Sequence, residues 1–301
     1  MSIPERPATG PIPPPPFRVA IAQIEPTLGG LQANLRMHLE QIEAARGMGA
    51  DLVVFPELSL TGYYLRDQVP EVAEPQGGPL ARAVCEASGS MGVIFGFVEE
   101  SRSSRFYNAA AFADAGTVRH VHRKVYLPTY GMFDEQRYFA AGDRIRAFDT
   151  RFGRLGLLIC EDAWHLSCGV ILQADGIDAL IIVANSPGRG VREPELGSEQ
   201  SWNLVTRTYA TFLNIPVVFA NRVGFEDGVC FWGGSVVLAP SGRIVTEAPT
   251  MRTGLILSTI DPRETRLQRI RTPLERDERL HLTRDELERI HAERNRHDGR
   301  G

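Results

Sequence analysis

Three reactive side chains stand in one recurring context: Glu57, Lys124 and Cys160 each come at the end of an apolar, strand-like run. Glu57 follows Leu52-Val53-Val54-Phe55-Pro56 and leads into a turn marked by Gly62. Lys124 closes Val118-Arg119-His120-Val121-His122-Arg123. Cys160 closes Arg154-Leu155-Gly156-Leu157-Leu158-Ile159 and opens Glu161-Asp162-Ala163-Trp164. Strand ends present loops on a rigid sheet, where functional groups gather. A thiolate is a nucleophile, a carboxylate can take the thiol proton, and an ammonium can hold a developing negative charge. If Cys160 occupies a sharp strand-to-helix turn, its sulfur faces substrate and neighbouring amides can receive an oxyanion. Taken singly, each residue has an ordinary reading: a surface carboxylate, a solvated lysine, a core cysteine.

Other chemistries fit the same residues less well. The run His120 to Lys124 resembles a phosphate or nucleic-acid patch, but aromatic interleaving is missing and the chain is acidic overall. His165, five residues beyond Cys160, offers a base for a Cys-His site, although nearness in sequence does not make a pair. It reads better as a pocket residue or the start of the next helix. Cys160, His165 and Cys168 match none of the common zinc spacings, so no metal is expected. Cys85, Cys168 and Cys230 read as core residues.

The elements that must position these groups alternate. Strands are expected at Phe17 to Ile24, Asp51 to Phe55, Val93 to Val98, Tyr107 to Ala113 and Thr117 to Arg123. The last two are joined by the hairpin signal Asp114-Ala115-Gly116. Helical spacing covers Leu31 to Arg46 and Pro79 to Ala87. The second half repeats the theme: strands at Arg154 to Cys160, Asp178 to Ala184, Pro216 to Asn221, Gly233 to Ala239, Arg243 to Glu247 and Gly254 to Ile260, with helices near His165 to Ala174 and Ser198 to Leu213. The pattern calls for one layered α/β domain over residues 17–261. Residues 1–16 hold seven of the chain's 20 prolines and read as polyproline or disorder. Residues 262–301 form a charged arm, in which Thr283 and Glu286 make a capping box that would start a helix through about Arg294. That helix is either a solvated face or an oligomer contact.

Composition narrows the function. With 43% hydrophobic and 23% charged residues and a formal charge of -4, the 301-residue chain has no global attraction for nucleic acid or anionic membrane, and small-molecule chemistry leads. No apolar run approaches the roughly 20 residues of a membrane span, and no signal core opens the chain. Four cysteines without zinc-knuckle spacing suit a reducing, cytoplasmic setting.

Glu57, Lys124 and Cys160, in this order and these contexts, resemble the triad of the nitrilase superfamily of carbon-nitrogen hydrolases. The resemblance covers Phe17 to about Asp261. It is carried by Phe55-Pro56-Glu57-Leu58, Arg123-Lys124-Val125-Tyr126-Leu127-Pro128, Ile159-Cys160-Glu161-Asp162, Asn185-Ser186-Pro187 and Asn221-Arg222-Val223-Gly224. The nearest branch is the glutamine-hydrolysing domain of glutamine-dependent NAD synthetases, through Glu57-Leu58-Ser59-Leu60-Thr61-Gly62-Tyr63 and Leu127 to Phe139. The Ser-Gly-Gly-x-Asp-Ser phosphate loop of their second, ATP-dependent domain does not occur in these 301 residues, so NAD synthesis within this chain is not expected.

The resemblance implies a four-layer α-β-β-α sandwich, homodimers or larger homo-oligomers built through helices beside the cysteine, and a fourth catalytic position at Glu135. It implies that Glu57 takes the Cys160 proton, that Lys124 and an N–H near Glu161 hold the oxyanion, and that no cofactor takes part. Tyr63 and Tyr130 align with substrate-lining tyrosines, and Glu161, Trp164 and Ser186 are expected beside them. Two stretches depart from the synthetase pattern, His165 to Gly169 and Gly188 to Leu196. The expected activity is therefore hydrolysis of a small linear amide. An N-carbamoyl amine or acid and a nitrile are the alternatives, and an ammonia-supplying subunit or ligand-binding module is the reading from another class.

Overall fold

The computed structural model describes residues 14–189, 191–192 and 195–298. Most of the Pro-rich segment expected at 1–16, the end of the arm at 299–301, and residues 190, 193 and 194 of the departing stretch lie outside the described residues.

In chain order, β1 (Phe17–Gln23), α1 (Leu31–Gly47), β2 (Leu52–Val54), α2 (Val69–Val72), α3 (Pro79–Ser88), β3 (Gly92–Glu100), β4 (Phe106–Asp114) and β5 (Thr117–Arg123) make the first half. Then come β6 (Phe148–Thr150), β7 (Gly153–Ile159), α4 (Leu166–Ala174), β8 (Ala179–Ala184), the short β9 (Val191–Arg192) and β10 (Glu195–Leu196), α5 (Gly197–Leu213) and β11 (Val217–Asn221). The chain continues through β12 (Val223–Glu226), β13 (Val229–Trp232), β14 (Val236–Leu238), β15 (Ile244–Glu247), β16 (Gly254–Ile260), α6 (Pro262–Arg271), α7 (Leu274–Asp277) and α8 (Leu280–Asp298).

Two six-stranded sheets carry the fold, in the orders β16-β1-β2-β3-β4-β5 and β15-β14-β11-β8-β7-β6. The period-2 alternation of each strand decides the layering. On the first sheet Val19, Ile21, Leu52, Val54, Ile94 and Phe112 point into a core shared with Leu157, Ile159, Ile181 and Val218 of the second. Their neighbours Ala20, Val53, Val93, Phe95 and Ala111 point the other way, against Ile42 and Ala45 of α1 and Leu80 and Val84 of α3. On the outer face of the second sheet, Cys168 and Leu172 of α4 and Trp202, Tyr209 and Leu213 of α5 complete the core. The expected α-β-β-α sandwich is therefore what forms. Strands buried on both faces explain the continuous apolar runs at Ala179–Ala184 and Val217–Asn221.

Strands β1, β2 and β3 run parallel, β3–β4 and β4–β5 antiparallel, so β5 points as β2 does; β7, β8 and β11 are parallel in the other sheet. The β4–β5 turn is the two-residue hairpin expected, with Ala115 and Gly116 at φ 51° and 72°.

Four local differences from the sequence reading have physical causes. The strand expected from Gly233 shortens to Val236–Leu238, because Gly233 and Gly234 sit at φ 79° and 63°, which a strand cannot use. A second hairpin, β12–β13, turns at Asp227-Gly228, again with both φ positive. The capping box at Thr283 does not start α8, since hydrogen bonds from Leu282 and Thr283 back to the Arg279 carbonyl carry the helix to Leu280. Residues after Asp261 do not all leave the core: in α6 Pro262 and Thr265 are buried, Arg269 donates to the Ile177 carbonyl, and Asn214 donates to the Thr272 carbonyl. Helix α8 is exposed at nearly every residue whose burial is described.

Gly96 on β3 lets the loop carrying Glu57 approach the sheet. A Cβ there would lie 2.2 Å from the Leu58 nitrogen and 2.8 Å from the Glu57 carbonyl carbon, both backbone atoms that cannot swing away. Gly96→Ala is expected to lower the unfolding free energy by about 3 kcal/mol, read by urea denaturation.

Candidate active site

The carboxyl ends of β2 and β5 in one sheet and of β7, β8 and β11 in the other meet at one edge of the sandwich, where ligands of parallel sheets characteristically bind. Beyond their last strand positions, β2, β5, β7 and β8 contribute Glu57, Lys124, Cys160 and Asn185. Glu57 follows β2 through Phe55 and Pro56, in a turn whose Leu58 has φ 44°. Lys124 follows β5 directly, its N–H bonded to the Asn108 carbonyl at 2.9 Å. Cys160 follows β7 at φ 46° and opens a short 3-10 turn, Cys160–Trp164, ahead of α4. That is the sharp strand-to-helix turn expected of it. Glu135 opens another 3-10 turn, Glu135–Arg137, with its N–H on the Pro128 carbonyl.

The Lys124 ammonium has no solvent exposure and donates to Glu57 Oε1 at 2.8 Å and Glu135 Oε1 at 2.7 Å. Burial pulls its pKa down, but the charges of Glu135 and Glu57 outweigh that and hold it well above the ordinary value. Glu57 Oε1 also accepts from Asn108 Nδ2 at 2.7 Å, and Oε2 from the Asn185 N–H at 2.8 Å. Asn185 Nδ2 closes the arrangement on the Glu57 carbonyl. Burial raises the Cys160 thiol well above its usual pKa; Glu57, Glu135 and Glu161 push the same way and Lys124 opposes them, so the resting sulfur carries its proton. Burial likewise lifts Glu135 to about 7, with Lys124 opposing and Glu57 adding, and its Oε2 is buried without a hydrogen-bond partner.

Cys160 opens onto a cavity of about 340 Å³, lined also by Tyr130, Glu161, Trp164, Ser186 and Arg189. Tyr130 donates to Glu161 Oε2 at 2.8 Å, and Trp164 meets Trp202 edge-on at 5.2 Å. Tyr63 is not among the residues lining that cavity: its hydroxyl donates to Glu135 Oε1 at 2.5 Å, and it lines an adjoining cavity of about 350 Å³ that shares Phe133 with the first. His165 stacks on Tyr126, centroids 3.5 Å apart, and is not among the residues lining the Cys160 cavity. Cys85 and Cys168 are buried as expected, whereas Cys230 is half-buried, 3.5 Å from Met251 Sδ. Among the described residues no cluster of three or more His, Cys, Asp or Glu side chains could hold a metal, and no helix is long and apolar enough to cross a membrane.

Sequence reasoning missed the residue that ties the two sheets together here. Asp162 is fully buried. Its Oδ1 accepts from the N–H groups of Val125 and Tyr126, both at 2.9 Å, and its Oδ2 from Ile159 N–H at 3.1 Å and His122 Nε2 at 2.8 Å. The backbone on either side of Cys160 is thereby fastened to the backbone after Lys124. Asp162 sits in a quoted motif, but only the pairing across sheets reveals the role. Glu226 does similar work, accepting from the N–H groups of Tyr63 and Tyr64 and pairing with buried Arg222.

A model of the family described as carbon-nitrogen hydrolase matches residues 18–270. The chain belongs to the carbon-nitrogen hydrolase family. This carbon-nitrogen hydrolase is 30% identical over 254 residues to a glutamine-dependent NAD(+) synthetase of Acinetobacter baylyi, covering 84% of this chain and 46% of that protein. It is 29% identical to a probable nitrilase of Schizosaccharomyces pombe, covering 81% of this chain and 88% of the relative. The solved carbon-nitrogen hydrolase of Helicobacter pylori superposes with a TM-score of 0.79 at 23% identity, over 90% of this chain and 98% of that one, which establishes the shared fold. The chain spans less than half the length of the NAD synthetases that it matches.

Two outcomes follow for this hydrolase. Asp162→Asn replaces acceptors with an amide that cannot satisfy four donors, and is expected to lower the unfolding free energy by about 2 kcal/mol, measured by chemical denaturation. Because Glu135 is lifted from 4.5 to about 7, the folded protein keeps a proton there that the unfolded chain has released. That contribution to stability is complete below 4.5 and is lost as pH rises through about 7. Melting temperatures followed from about pH 5 to 8 are expected to fall less in Glu135→Gln than in the parent.

Proposed function

We propose that this protein is a cysteine amidohydrolase that cleaves the C–N bond of a small linear amide and releases ammonia through a thioester on Cys160. The observation that carries the reading is the fully buried Lys124 ammonium held between Glu57 and Glu135, electrostatically coupled to a thiol that opens onto a cavity.

Catalysis starts from a protonated sulfur, so a base must act as the sulfur attacks. Glu57 takes the Cys160 proton while Sγ bonds to the amide carbon, and the carbonyl oxygen becomes an oxyanion. Lys124 and the Glu161 N–H hold that charge. The Lys124 ammonium is already held in place and shielded from water, where such a donor is worth most. Collapse of the tetrahedral intermediate breaks the C–N bond, Glu57 returns its proton to the departing nitrogen, and ammonia leaves behind a thioester. Water then gives a proton to Glu57 and attacks the thioester carbon. The C–S bond breaks, the thiol is re-formed with the proton from Glu57, and a carboxylic acid departs. Glu135 stays bound to Lys124 throughout and keeps the ammonium aimed at the oxygen. No step draws on a metal or organic cofactor.

Ammonia release by the purified protein, assayed over short aliphatic amides, glutamine, N-carbamoyl compounds and nitriles, is expected for at least one amide. In Cys160→Ala it is expected to fall by at least about 10⁴-fold. Turnover surviving in that variant, or none with any compound from folded protein, overturns the reading.

A further inference from the structure

The basic run from His120 to Lys124 is divided by the fold. Lys124 enters the catalytic cluster, while His120, His122 and Arg123 line a cavity of about 420 Å³ at β5, the last strand of its sheet. Asp143, Arg144 and Arg146 come to the same cavity from the stretch 142–147. Both ends of that stretch are fastened: the Gly142 N–H donates to the Lys124 carbonyl and the Ala147 N–H to Asp175 Oδ2, each at 2.8 Å. The first contact requires glycine, since a Cβ at Gly142 would lie 2.3 Å from the Arg123 carbonyl oxygen. Two pieces of anchored backbone therefore form most of the cavity.

Its donors are short of acceptors. The Nε2 of His120 is buried without a hydrogen-bond partner, and the ring is fixed by stacking on Phe148 with centroids 4.1 Å apart. Burial and the nearby His122 push its pKa down to about 4, so the ring is neutral and brings a hydrogen bond without a charge. His122 Nε2 is taken by Asp162, which leaves Nδ1 as the ring nitrogen for a ligand. Among the described residues Arg146 has no ion pair, and Arg144 reaches Asp143 only at 3.5 Å, with both side chains mostly exposed. Arg123 differs: it holds Glu99 through bonds of 2.7 and 2.6 Å, and Gln76 donates to the same carboxylate. Such a set suits a phosphate group, whose three oxygens and nearly two charges accept from several directions, better than a planar carboxylate that one arginine fork satisfies.

We infer that this cavity is an effector site for the phosphate group of a small phosphomonoester, with Arg144, Arg146, His120 and His122 as its donors, and that it acts on the catalytic turn through His122 and Asp162. The volume beyond that of a phosphate leaves room for a small organic remainder. An anion at Nδ1 favours the imidazolium form of His122, whose bond to the Asp162 carboxylate is then charged at both ends and stronger. Asp162 fastens the Ile159 N–H, just before Cys160, and the Val125 and Tyr126 N–H groups, just after Lys124. The ligand therefore stiffens the turn from which the thiol emerges. Neither the site nor its effect depends on which amide, if any, is hydrolysed at Cys160.

The test titrates the whole protein with ribose 5-phosphate, ribose and inorganic phosphate by calorimetry. Ribose 5-phosphate is expected to bind and ribose not. Arg146→Gln is expected to weaken binding at least about 10-fold, whereas Arg119→Gln, an exposed arginine of β5 outside the cavity, leaves it unchanged. Binding of inorganic phosphate as tight as that of ribose 5-phosphate identifies the free ion as the ligand of this site, and weaker binding identifies the ester. No binding of either, or equal losses in the two arginine variants, overturns the site. A short single-stranded oligonucleotide that binds through Arg146 where ribose 5-phosphate does not overturns the small-ligand assignment. The link to the catalytic turn is read by iodoacetamide alkylation of Cys160, followed by peptide mass spectrometry, which needs no substrate. Saturating ligand is expected to slow alkylation at least about 5-fold, and to leave it unchanged in His122→Gln, whose amide can bond Asp162 but takes no proton. Melting curves check that the variants fold, and Arg146→Gln at the same ligand concentration gives the same comparison without touching His122. Alkylation unslowed in the saturated parent overturns the link.

Discussion

An ammonium group with no access to water has to be neutralised where it lies, and in this protein that requirement governs the rest of the architecture. Moving a lysine charge from water into an apolar interior carries a penalty of several kcal/mol even after relaxation, so Lys124 persists as a cation only because Glu57 and Glu135 reach it together. The three residues are distant in sequence and come from loops after β2 and β5 and a 3-10 turn. Their meeting is a property of the sandwich edge. The excess negative charge that two carboxylates bring is met by Asn108 and Asn185 at Glu57 and by the raised pKa of Glu135.

The same edge concentrates strain. Leu58 and Cys160 both occupy the left-handed region, which costs an L-residue roughly 1 to 3 kcal/mol each and persists only where the surroundings over-determine it. The surroundings here are identifiable: Gly96 admits the Leu58 turn against β3, and Asp162 clamps the Cys160 turn to the strand exit that carries Lys124. Thiol and ammonium are therefore held by backbone fastened across two sheets, and need not rely on flexible side chains to find one another.

The hydrophobic alternation of β1 to β5, the long apolar strands β8 and β11, and the helices α1, α3, α4 and α5 were legible because burial on one or both faces writes itself into period 2 and period 3.6. The candidate triad stood out because each member ends such a strand, and its assignment, like that of Glu135, rests on motifs that resemble the family. The β12–β13 hairpin carries an Asp-Gly signal at 227 and 228 that was readable in principle. The docking of α6 was not, since its anchors, Arg269 to Ile177 and Asn214 to Thr272, join residues 92 and 58 positions apart.

By itself, then, the sequence determined a layered α/β domain, since residue type and local periodicity are properties of short segments, while the two-sheet sandwich, the family and the candidate reacting groups were implied by the resemblance of its separated motifs. Only the tertiary structure decided what those groups face. Tyr63 proved to hold Glu135 and to line an adjoining cavity, Asp162 to be the clamp, and Arg189 to bring a buried N–H without a hydrogen-bond partner to the cavity beside Ser186. The physical reason is that hydrogen-bond satisfaction in an interior is counted over all neighbours in space, and most of those neighbours are dozens of residues away along the chain.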